Sequence, residues 1–170
     1  FRNAGSGADA SKPSLVANNV VVMANVTSGY TYGVMLETTM ANVVFAHNTI
    51  SLKGEPTVKS AYALALNGNA PADGSAPKVM NNIIQNTTAS GPLRPWNASH
   101  YANLRFSGNV YYGGGDKMDG DGKTFAEYCE ATGDCSSVWS RASFFSDTDL
   151  HLREADDTYL QPRLDLVTSD

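Results

Sequence analysis

An Asn followed by apolar residues recurs four times along the chain, and this repeat limits the possible folds more than any other feature. The segments are Val16-Ala17-Asn18-Asn19-Val20-Val21, Phe45-Ala46-His47-Asn48-Thr49-Ile50, Val79-Met80-Asn81-Asn82-Ile83-Ile84 and Phe106-Ser107-Gly108-Asn109-Val110-Tyr111. Asn19, Asn48, Asn82 and Asn109 stand 29, 34 and 27 residues apart, a loose period of the size found in solenoid repeats. Because a strand sends alternate side chains to opposite faces, residues at fixed offsets from the Asn should share a face. Three before it stand Val16, Phe45, Val79 and Phe106, and two after it stand Val21, Ile50, Ile84 and Tyr111, so both rows read as core. The Asn suits a corner between two strands: it tolerates left-handed backbone, and its amide can bond the same residue one coil away.

A second apolar run, Gly33-Val34-Met35-Leu36 and Ala61-Tyr62-Ala63-Leu64-Ala65-Leu66, follows the first two corners and supplies a further strand per coil. The expected fold is all-β, a β-solenoid of about four coils with roughly three short strands each, stacked into parallel sheets. Residues 14–115 would form the coils, residues 1–13 an N-terminal stretch and residues 116–170 a closing segment. An antiparallel sandwich with irregular hairpins is the competing architecture, but the chain lacks the two-residue turns such hairpins use.

Composition narrows the function classes. The 170 residues suit one domain, and 42% hydrophobic content is enough for a continuous core. A net charge of -5, with 12 Lys plus Arg, offers no basic field for nucleic acid or an anionic membrane. No apolar run is long enough to span a bilayer. The first residue is Phe1 rather than Met, which reads as a processed or excised piece. Cys129 and Cys135, six apart, could form a local disulfide in an oxidising compartment or remain two reduced thiols.

The corners Asn81-Asn82-Ile83-Ile84 and His47-Asn48-Thr49-Ile50 resemble those of right-handed parallel β-helix proteins of the pectate-lyase-like superfamily. The tail is similar to the closing segment of secreted bacterial members. It carries Thr124-Phe125-Ala126-Glu127-Tyr128, Gly133, Ser136-Ser137-Val138, Phe144-Phe145 and Asp149-Leu150-His151-Leu152 in that order. Coils and tail together cover residues 14 to 165. The resemblance implies a right-handed parallel β-helix, a secreted or cell-surface location, and polysaccharide as partner or substrate, with further coils upstream. Thr124 should cap a short helix that Gly133 ends, and Phe144 and Phe145 should plug the end of the core.

The fold does not choose among lyases, hydrolases and binding modules, so the residues must. Glycoside hydrolysis needs two facing carboxylates. The outward rows Val20, Thr49, Ile83, Val110 and Val22, Ser51, Gln85, Tyr112 hold none, and no catalytic residue is assigned. Lyase chemistry needs a cation against the uronate and a base. Lys78 and Arg105, four before their corner Asn, should be neighbours on adjoining coils, with Arg94 and His100 in the intervening loop; the alternative is a solvated basic face. His47 reads equally as a turn residue.

Tyr30, Tyr32, Trp96 and Tyr101 are loop aromatics whose flat rings suit a sugar face, although Trp96 and Tyr101 could simply pin the long third loop. Asp116, Asp119 and Asp121, spaced by Gly120 and Gly122, suggest either a calcium-binding turn or a flexible acidic loop, and no other cofactor is indicated. Sequons stand at Asn25, Asn86 and Asn97. The favoured expectation is an extracellular module that contacts glycan through Lys78, Arg105, Arg94, Trp96, His100 and Tyr101. The alternatives are a polysaccharide lyase or glycoside hydrolase completed by upstream coils, and a structural or adhesive domain.

Overall fold

The computed structural model describes residues 12–37, 41–67, 76–96, 99–102, 104–144 and 146. Each repeat becomes one coil. The first contains Ser14–Ala17 (β1), Val20–Val26 (β2) and Thr31–Glu37 (β3). Val43–Ala46 (β4), Thr49–Gly54 (β5) and Ala61–Asn67 (β6) form the second. The third holds Lys78–Met80 (β7), Ile83–Asn86 (β8) and Leu93–Pro95 (β9), then a helical turn, Ser99–Ala102 (α1). Arg105–Ser107 (β10) and Val110–Gly113 (β11) open the fourth, before a helix, Phe125–Thr132 (α2), and a last strand, Val138–Trp139 (β12).

Strands at the same place in successive coils pair in parallel, giving three sheets ordered β1-β4-β7-β10, β2-β5-β8-β11-β12 and β3-β6-β9. The chain is therefore a parallel β-solenoid of about four turns. The repeat sets the register: Val16 pairs with Phe45, Phe45 with Val79, and Val79 with Phe106. Ile50, Ile84 and Tyr111 are wholly buried, so both rows expected to be core point inward.

The corner Asn residues form a one-way ladder. Asn48 Oδ1 accepts from the backbone N–H and the Nδ2 of Asn19, at 3.0 and 2.9 Å. Asn82 does the same for Asn48, and Asn109 for Asn82. Their Nδ2 groups also cap strand-end carbonyls, as Asn82 does for Phe45 and Met80. The left-handed conformation falls on the residue before each ladder Asn, not on the Asn itself as the sequence reading had it: Asn18, His47, Asn81 and Gly108 have φ of 58, 55, 54 and 61°. Turning the chain one residue early leaves the ladder Asn extended and free to stack.

The stack continues past residue 115. Ser137 Oγ accepts from Asn109 N–H at 2.8 Å, taking the place of a fifth ladder residue 28 positions on. Val138 and Trp139 pair with Val110 and Tyr111. Buried Asp134 braces this rung, accepting from Ser137 Oγ at 2.6 Å and from Tyr128 Oη at 3.0 Å. Thr124 and Glu127 form a capping box on α2, which lowers the Glu127 pKa through the Thr124 backbone N–H. Gly133 closes the helix in the left-handed region, and a disulfide joins Cys129 to Cys135.

Tyr101, Phe106, Tyr111, Phe125 and Tyr128 pack ring against ring beneath this cover. That cluster, and not Phe144, fills the end of the core. Phe144 instead lies on the outer face of the second sheet with Ile83, Val110, Val138 and Ala142. The tail thus explains why the outward row holds Ile and Val, which a bare solvated face would not favour. Phe145 and the segment Asp149-Leu150-His151-Leu152 lie outside the described residues.

Candidate functional site

The third sheet carries the most distinctive surface. Tyr32 and Tyr62 are register partners on β3 and β6, and their rings stack at 6.3 Å with planes 15° apart. Trp96, just past β9, donates its backbone N–H to Leu66, which brings its indole to 5.4 Å from Tyr32 at a 48° tilt. Trp96 is 43% exposed and Tyr30 is 81% exposed, while Tyr62 is buried as the floor. Burial raises the Tyr32 pKa, with Arg94 opposing the shift.

Arg94 lies with its guanidinium 5.5 Å over the Tyr62 ring and 3.4 Å from Asp121 Oδ1. Gly120 allows this, since a Cβ there would run into the Arg94 side chain and the Tyr62 hydroxyl. The acidic loop reaches Arg94 because it joins the third sheet as a further rung, with Leu93 bridging in parallel to Asp119. Asp119 fastens the loop: its Oδ1 accepts from the N–H groups of Asp121 and Lys123, and its Oδ2 from Tyr101 at 2.7 Å, with Lys123 Nζ 3.6 Å away.

Next to the rings, where the β2–β3 and β5–β6 connections meet, is an open pocket of about 260 Å³ bounded by Thr27, Ser28, Tyr30, Thr57, Lys59 and Ser60. The Tyr62 hydroxyl donates to Lys59 O at 3.3 Å, tying this pocket to the aromatic rings. Hydroxyls, a cation and rings therefore form one continuous ridge spanning successive coils.

Only part of the expected site is brought together. Arg94 and Trp96 belong to the ridge. His100 is buried with Nδ1 2.9 Å from Leu66 O, and Tyr101 is buried against Asp119, which with burial pushes its pKa far up. Both are buried and pin the third loop. Lys78 and Arg105 are register partners and exposed, but they lie on the sheet of β1, β4, β7 and β10, apart from the ridge. The Arg105 guanidinium turns back onto the carbonyls of Ala102 and Leu104.

Asp116, Asp119 and Asp121 do not converge as a calcium site: no group of three His, Cys, Asp or Glu among the described residues is placed to share an ion. Asp119 spends one oxygen on the loop's own N–H groups and the other on Tyr101, and Asp121 pairs with Arg94. Of the sequons, Asn25 is exposed, whereas Asn86 is buried with its amide bonded to Ala61, Ser90 and Gly91; Asn97 lies outside the described residues. Tyr62 and the hydroxyl pocket were missed from sequence. The matching strings Tyr32-Gly33-Val34 and Tyr62-Ala63-Leu64, one repeat apart, carried the signal.

No family model, no curated protein and no solved structure matches this chain.

Proposed function

We propose that this chain is an extracellular β-helix module, related to the pectate-lyase-like superfamily, that contacts polysaccharide through the ridge of its third sheet. The observation that carries the reading is the pairing of half-buried Tyr32 with exposed Trp96 beside a hydroxyl-lined pocket, held over Tyr62 and Arg94. A tilted pair of partly wet rings offers apolar faces to the C–H side of a sugar, and the Thr and Ser hydroxyls next to it can exchange hydrogen bonds with sugar hydroxyls. A solenoid keeps such groups in place with little ordering cost on binding. The Cys129–Cys135 disulfide supports a secreted or cell-surface location, since such bonds persist in oxidising compartments.

A binding role is favoured over a lyase or hydrolase by the state of the carboxylates. Asp119 and Asp134 are the buried ones among the described residues, and both are consumed by structural hydrogen bonds. Glycan-array binding of the intact chain tests the reading. Retention of one or more glycans is expected, with Trp96→Ala or Tyr32→Ala weakening it about tenfold, as loss of one stacking ring worth about 1.4 kcal/mol implies. A folded chain that retains no glycan, or ring variants that bind like the parent, would remove the reading.

A further inference from the structure

We infer that the ridge selects uncharged glycan over uronate polymer, and that Asp121 sets this choice; the inference rests on the ridge being the glycan-contacting surface. Its central cation is already committed. Arg94 is clamped between the Tyr62 ring, Gly120 and the Asp121 carboxylate, so the charge that would receive a uronate is neutralised in place. Lys123, the next cation along the loop, sits 3.6 Å from Asp119.

Lys59 stands alone at the far end, in the pocket, where a single exposed cation is screened and contributes little. A chain of carboxylates laid along the ridge would have to displace Asp121 from Arg94 to gain a charge contact, and that exchange costs affinity. The basic pair Lys78 and Arg105 lies on another sheet and cannot compensate. What remains along the ridge is aromatic faces and hydroxyls, which recognise an uncharged sugar.

Titration with gluco-, manno- and xylo-oligosaccharides and with oligogalacturonate, at low and at physiological salt, tests this. At least one neutral series should bind with an affinity that changes less than about twofold with salt, and oligogalacturonate should bind about tenfold more weakly or worse. Asp121→Asn releases Arg94 at an exposed position. It should strengthen oligogalacturonate binding about fivefold in a salt-dependent way and leave the neutral series within about twofold. Oligogalacturonate binding as tight as the neutral series, or no gain from Asp121→Asn, overturns the inference while leaving glycan contact standing. Failure of every series to bind overturns both.

Discussion

At the scale of single residues, two positions in each corner divide the work. The ladder Asn supplies hydrogen bonds, and the residue before it supplies the left-handed turn. Asn82 is the best test of the first role, because an alanine there strands the buried Asn48 N–H and takes the Nδ2 donor from the Phe45 carbonyl and from the Met80 carbonyl, which keeps only the His47 N–H. Each such orphan costs about 1–3 kcal/mol, so Asn82→Ala should lose about 3 kcal/mol or more in denaturant unfolding. Gly108→Ala, at φ 61°, should lose about 1 kcal/mol by the same measurement. Equal losses from the two variants would mean that the ladder is not what holds the corners. The ladder was legible because Asn repeats at one offset. The turn was not, because Asn, His, Asn and Gly share the left-handed position and only their backbone angles unite them.

At the scale of elements, the closing segment converts an open solenoid end into a covered one by continuing the ladder into Ser137 and Asp134. The helix was readable from Thr124, Glu127 and Gly133, since caps are local signals. Strand β9 was not, because Leu93-Arg94-Pro95 lacks a strand pattern and is extended only through its pairing with β6. The same holds for the loop around Asp119, which looked like an ion site because its carboxylates alternate with glycines. Its partners, Tyr101 and Leu93, are distant in sequence.

The tyrosines of this cover give a pH prediction. Burial raises the pKa of Tyr101, Tyr111 and Tyr128, with Asp119 adding to the first and Asp134 to the other two. A phenol whose folded pKa lies above its unfolded value near 10 contributes stability that is fully present below pH about 10 and is lost as pH rises beyond it. Stability should therefore be flat through neutral pH and fall steeply above pH about 10, with tyrosinate absorbance from these three rings appearing together with unfolding. Ionisation of all tyrosines before any loss of structure would contradict the packed cover.

At the scale of the molecule, three parallel sheets present three different surfaces. One is covered by the tail through Phe144 and Ala142, one carries the Lys78 and Arg105 row, and one carries the aromatic ridge. The sequence made the stack and the basic row visible, since both follow from offsets within the repeat. It did not show that the basic row and Trp96 belong to different sheets, because that depends on where the third loop returns to the wall. The central claim is that the ridge is the surface that meets glycan. Chemical-shift mapping of the whole chain with the neutral oligosaccharide series tests it most directly. Perturbations confined to Tyr30, Tyr32, Lys59, Arg94, Trp96 and Asp121 are the predicted result, and perturbations centred on Lys78 and Arg105, or none on the third sheet, would contradict it.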